Sequence, residues 1–256
     1  MSEEHLLYRV EKNVAYFTIN REPQRNAISL DTINLFLKYL DKAEADENVR
    51  VILVTGAGDK AFCSGADLGA APGGEIQDGF RQYARLLKRL AGCPKPVVAK
   101  VNGYCLAGGM GLMLACDIVI AKSDANFGTP EVNVGLWPMM IGALIYRNVL
   151  RKKAMEMVLM GDRFGADKAL EMGLTTRVVS PQNLDQQVNQ VLQNLADKSP
   201  IGMKIGKQAF YAMADMPFEA AVDFLSGKIA EVAATEDAKE GITAFIEKRK
   251  PVFKGK

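Results

Sequence analysis

Polar and apolar positions along the chain predict α and β elements in alternation. Leu6–Val10 and Val14–Asn20 are strand-like runs joined by a turn at Lys12-Asn13. Ser29-Leu30-Asp31 then opens an amphipathic helix in which Ile33, Phe36, Leu37 and Leu40 recur at helical spacing, ending in the acidic stretch Asp41–Glu47. Val51–Thr55 is a continuous run of apolar and β-branched residues, the pattern of a strand covered on both faces, and Val97–Val101 and Asp117–Ala121 are expected as further buried strands. Phe80–Leu90 predicts a second helix. Leu106–Cys116, apolar all round and without charge, predicts a helix sunk in the interior. Ala70–Gly74 is expected to be a flexible loop. Strand, glycine-rich turn, helix and strand recur in this order, which predicts an α/β fold. Beyond Pro200 the pattern turns helical, over Met203–Ala214 and Phe218–Ala234, before a Lys/Arg-rich end at Phe245–Lys256. Residues 1–198 are therefore expected to form the core, and residues 199–256 a helical region for packing or oligomerisation.

Composition narrows the chemistry more than the fold. The 32 basic and 30 acidic residues leave a net charge of +2, no basis for nucleic acid or an anionic membrane as partner. No apolar run is long enough to span a bilayer and no secretory leader is visible, so a cytoplasmic location is expected. Cys63, Cys93, Cys105 and Cys116 form no C-x-x-C pair and are expected as packed, reduced thiols. The single histidine, His5, lies near a terminus expected to fray. That removes Ser-His-Asp and Cys-His catalysis and argues against a metal site.

Two glycine segments carry the candidate chemistry. Gly56-Ala57-Gly58-Asp59-Lys60-Ala61 fits the dinucleotide pattern G-x-G-x-x-A, yet Phe62–Asp67 continues with no helical stripe. Ser64-Gly65-Ala66-Asp67 and Gly108-Gly109, by contrast, can each expose backbone amides after a strand. Unpaired amides at a helix start carry partial positive charge. Two of them converging on a thioester oxygen would stabilise its enolate, each donor contributing about 3 kcal/mol in a transition state. The same glycines also suit plain helix–strand packing, and spacing alone leaves both readings open.

Lys60-Ala61-Phe62-Cys63-Ser64-Gly65-Ala66-Asp67-Leu68 resembles the signature of the crotonase (enoyl-CoA hydratase/isomerase) family, and Asn102–Gly109 resembles its second half. Arg25-Asn26-Ala27-Ile28, Phe127–Gly135, Glu240-Gly241 and Phe245–Arg249 agree, so the similarity runs through nearly the whole chain. The resemblance implies a crotonase-type spiral of β-β-α units with a C-terminal helical trimerisation region, assembled as a homotrimer or a dimer of trimers. It implies an acyl-CoA or enoyl-CoA thioester as substrate, with CoA part of the substrate and no separate cofactor. The amides of Ala66 and Gly108 would bind the thioester oxygen, and Ala27, Ser64, Asp67 and Leu68 would line the CoA path. Phe245 and Lys248 would approach CoA from a terminal helix.

Hydration in that family uses two glutamates around one water. At the place of the first this chain has Gly111, and Gly103–Cys116 contains no acid. Glu131, in Thr129-Pro130-Glu131, matches the second. The same tripeptide is also a good helix start, with Thr129 as N-cap and Pro130 at N1. One base beside an oxyanion hole suits Δ3,Δ2-enoyl-CoA isomerisation. A 2-enoyl-CoA hydratase, with another acid such as Glu75 or Asp78, is the alternative; a decarboxylase or a catalytically weak acyl-CoA binder follows. Trp137, Pro138, Met139, Met140 and Met113 are candidates for the acyl pocket or for ordinary packing.

Overall fold

The structure is a computed structural model describing residues 4–67 and 75–256. The predicted α/β order is present. Strands β1 (Leu6–Glu11) and β2 (Val14–Ile19) form an antiparallel hairpin turning at Lys12 and Asn13. β2 then pairs in parallel with β3 (Val51–Gly56), β3 with β5 (Val97–Val101), β5 with β7 (Ile118–Lys122) and β7 with β10 (Arg177–Val179). Both faces of this six-stranded sheet are covered. Along β3, Ile52 and Val54 enter one core with Phe36 and Leu40 of α1 (Leu30–Ala45) and Leu86 and Leu90 of α2 (Glu75–Ala91). Val51 and Leu53 enter a second core with Val188, Val191 and Leu192 of α7 (Leu184–Ala196). That two-sided burial is why β3 reads as an unbroken apolar run. Ser29 caps α1 as expected, its hydroxyl accepting from the Thr32 amide at 3.2 Å.

A second, four-stranded sheet carries the site. Its strands are three residues each: β4 (Ala61–Cys63), β6 (Tyr104–Leu106), β8 (Asn126–Gly128) and β9 (Arg163–Gly165). β4, β6 and β8 are neighbours and parallel, so the turns leaving their C-terminal ends lie side by side. Each is fed from the large sheet by the strand just before it in sequence. The chain therefore steps from large sheet to small sheet three times.

Buried asparagines pin the first of these steps. Fully buried Asn26 donates to Ala57 O at 3.0 Å and Ala61 O at 2.7 Å and accepts from the Arg21 amide at 3.0 Å. Asn102 donates to Gly56 O at 2.9 Å and Gly58 O at 2.7 Å. These bonds occupy the glycine turn after β3. A strand, β4, follows it where a dinucleotide site would need a helix. Asn26 also has φ +57, a conformation asparagine tolerates better than alanine. Asn26→Ala removes one buried and two part-buried hydrogen bonds and is expected to lower unfolding free energy by about 3 kcal/mol, seen as a lower urea midpoint at unchanged slope.

Several elements differ from expectation. The buried helix is α3 (Gly108–Leu114), because Leu106 is spent in β6 and the chain turns at Ala107. His5 is held, its ring Nδ1 lying 2.9 Å from Ser29 Oγ. Helices α4 (Met139–Asn148), α5 (Arg151–Met160) and α6 (Ala166–Glu171) complete the middle of the chain. At the C-terminus, α8 (Pro200–Met213) and α9 (Phe218–Ala233) pack together, and α10 (Glu236–Ile246) packs on both. The terminal basic segment is helical only as far as Ile246, and the Ala70–Gly74 loop lies outside the described residues.

Candidate active site

Ala66 follows β4 and Gly108 follows β6, so the parallel pairing of those strands brings their turns into contact. Gly65, at φ +114, lies against Ala107: a Cβ on it would stand 2.9 Å from the Ala107 Cβ and 3.7 Å from the Gly108 nitrogen. A Cβ on Gly108 would stand 3.6 Å from the Ala66 nitrogen. Ala66 bridges to Ile28 through its neighbours, the Ile28 amide donating to Gly65 O at 2.8 Å and the Asp67 amide to Ile28 O at 2.9 Å. Among the described residues, the amides of Ala66 and Gly108 make no hydrogen bond, and the turns that carry them lie against each other. α3 is too short for a macrodipole to matter, so it is the amides themselves that offer the donors.

Ala107 turns the chain into α3 at φ +49 and ψ −124, a conformation that costs a non-glycine residue about 1–3 kcal/mol. Three contacts hold it. Its amide donates to Gly128 O at 2.9 Å, its carbonyl accepts from Met110 at 2.9 Å, and Gly109 packs directly on the Cys63 carbonyl. The bond to Gly128 also ties the hole to the end of β8, three residues before Glu131.

Glu131 sits in a 3-10 turn, Pro130–Val134. Pro130 is at its start as expected. Thr129 is not a side-chain cap: its hydroxyl is buried and donates to Met157 O at 3.3 Å. The Glu131 carboxyl is half-buried, and Oε2 is enclosed with no partner among the described residues. Burial raises its pKa above that of an ordinary glutamate, against a smaller opposing effect from its own backbone amide.

At Gly111, a Cβ would overlap both the Tyr83 hydroxyl and Ile141 Cγ2. Tyr83 comes from α2 and is 7% exposed. Its hydroxyl donates to Gly108 O. Burial, followed by the Cys63 and Cys105 thiols and Glu131, holds its pKa well above the usual tyrosine range, so the phenol keeps its proton.

The predicted CoA-side residues fall into two groups. Ala27, Ser64 and Asp67 are stitched together beside the hole: the Ser64 amide donates to Arg25 O at 3.1 Å, and Arg21 bonds both Ala27 O at 2.6 Å and the Asp67 carboxylate at 2.7 Å. Leu68 lies outside the described residues. Phe245, 84% exposed, lines a shallow pocket with Ser199, Gly241 and Phe253. Lys248 lies past the end of α10 at φ +54, not on the helix. Among the described residues no hydrogen bond or ion pair joins either to the hole. Asp78 is exposed on α2, and the side chain of Glu75 lies outside the described residues. Met113 is core, against Cys105, whereas Trp137 and Met139 are exposed just beyond Glu131. Among the described residues no group of three or more His, Cys, Asp or Glu side chains could hold a metal ion.

Arg21, Tyr83, Ala107 and Ile141 were not singled out by the sequence. Tyr83 alone left a signal: a tyrosine at the apolar spacing of Leu86, Leu87 and Leu90 needs a partner for its hydroxyl.

The paired sheets and the turns after β4 and β6 define a crotonase-type protein. The enoyl-CoA hydratase from Bacillus anthracis superposes with a TM-score of 0.95 at 30% identity, covering 98% of this chain and 100% of that one. The chain belongs to the enoyl-CoA hydratase/isomerase family, whose family model matches residues 9–256. It is 34% identical over 255 residues to a short-chain-enoyl-CoA hydratase of Clostridium acetobutylicum, covering 98% of this chain and 97% of that one. It is 36% identical over 256 residues to the carnitinyl-CoA dehydratase of Escherichia coli K12, covering 95% and 96%.

Proposed function

We propose that this family enzyme moves a double bond in an enoyl-CoA thioester from Δ3 to Δ2, with Glu131 as its single acid/base. The observation that carries this is the occupied space at Gly111: Tyr83 and Ile141 stand where a second carboxylate would project. With the thioester oxygen on the amides of Ala66 and Gly108, Glu131 takes a proton from Cα. The C–H electron pair forms the enolate, conjugated with the Cβ=Cγ bond, and the oxygen carries the charge. Glu131 returns the proton to Cγ, leaving the double bond between Cα and Cβ. No water or redox partner enters, and CoA arrives as part of the substrate, so the reaction calls for no separate cofactor.

Ala27, Ser64 and Asp67 support a CoA path beside the hole, with Arg21 fixing Asp67. Phe245 and Lys248 approach CoA from the C-terminal region, and the chain assembles as a homotrimer or dimer of trimers. In support, Phe210, Phe218, Val222 and Ile229 of α8 and α9 are all exposed apolar side chains, within the 199–256 region taken as the oligomerisation region. Four buried, unpaired thiols suit a reducing compartment such as the cytoplasm.

The hydratase alternative draws on the names of the two curated relatives. Purified protein is expected to convert 3-enoyl-CoA rapidly and to hydrate 2-enoyl-CoA negligibly, over several chain lengths. Efficient hydration would overturn the isomerase in favour of the hydratase. Binding of both without turnover would mark a catalytically weak acyl-CoA binder.

A further inference from the structure

Tyr83 does more at this site than fill space. Its hydroxyl bonds the Gly108 carbonyl, in the residue that follows the strained Ala107. It also lies 3.5 Å from where a Gly108 Cβ would stand, a point itself 3.6 Å from the Ala66 nitrogen. Ala107 adopts its positive-φ turn only because its surroundings impose it, and relaxing that turn would rotate the Gly108 amide away from its neighbour. The bonds to Gly128 and Met110 hold the peptides on either side of Ala107. The Tyr83 phenol holds the next peptide along. It reaches the turn from α2, a separate element.

We propose that Tyr83 is a positioning residue for the two-amide hole, its phenol clamping Gly108 in the strained Ala107 turn so that the Gly108 and Ala66 amides converge on one oxygen. This rests on the hole assigned above but not on the isomerase reaction. Tyr83 acts through Gly108 and takes no proton from substrate.

The test uses the full protein with a dimethylaminocinnamoyl-CoA thioester, whose absorption moves to the red as its carbonyl is polarised. The parent is expected to bind it with a clear red shift. In Y83F the shift should fall to less than about half, with Kd within about threefold and the thermal midpoint nearly unchanged. Ala107→Gly in the Y83F background removes the strain that the clamp opposes and should restore most of the shift. Because the phenol stays protonated, the Y83F deficit should be the same from about pH 6 to pH 9. An undiminished shift in Y83F would overturn the clamp, as would a loss that Ala107→Gly does not repair. No shift in the parent would overturn clamp and hole together. A normal parental shift without 3-enoyl-CoA turnover would sink the isomerase reading alone, leaving the clamp to be judged by Y83F.

Discussion

Glu131→Gln is expected to lower kcat on a 3-enoyl-CoA by about 10²–10⁴-fold, with the affinity for the thioester nearly unchanged. The amide keeps the shape of the carboxyl and loses only its ability to take and return a proton. Burial raises the carboxyl above its ordinary range, so the base form is populated only above that raised value. The rate should therefore fall as pH drops through an inflection higher than that of a free glutamate, and this limb should be missing from the residual activity of the variant. The sign for stability is opposite. A carboxyl raised in the folded state contributes stability that is fully present below its unfolded pKa and lost as pH rises through the folded one. Above the raised folded-state value the ionised, half-buried Glu131 thus weighs against the fold, and there Glu131→Gln should be at least as stable as the parent. Turnover that survives the substitution, with its acid limb intact, would remove Glu131 from the mechanism.

The middle of the large sheet is legible because its central strands are long and buried on both faces, as at Val51–Gly56 and Val97–Val101, whereas its three-residue edge strand Arg177–Val179 is not. The small sheet was not, since a strand of three residues such as Asn126–Gly128 shows no period. Yet the pairing of those short strands is what places Ala66 beside Gly108. The glycines that permit this close approach could be read from the chain, but the approach itself could not. Phe245 and Lys248 show a different limit. They rest on resemblance alone, and among the described residues no hydrogen bond or ion pair joins them to the hole. Tyr83 was hidden for a third reason, since a ring at a core position looks the same whether its hydroxyl is structural or aimed at a backbone carbonyl.

Gly109→Ala is expected to cost both activity and stability, because the added methyl has nowhere to go. It would overlap the Cys63 carbonyl and stand 2.9 Å from the Cys63 carbonyl carbon. Both are backbone atoms at the end of β4, so no side-chain rotation relieves the contact. The strand is fixed in turn by its pairing with β6. Either α3 or β4 must move; Gly108 opens α3, and Ala66 lies in the turn that leaves β4. Overpacking of this kind destabilises by about 1–3 kcal/mol, and a displacement near 1 Å at a reacting centre lowers kcat by about 10²-fold. The damage should fall on kcat more than on CoA affinity, since Arg21 holds Ala27 and Asp67 through hydrogen bonds of its own. Parallel measurements of the urea midpoint and of kcat and KM decide the matter. A variant of unchanged stability and turnover would show that α3 does not rest on β4 at this contact, and that the spacing of Ala66 and Gly108 is set elsewhere.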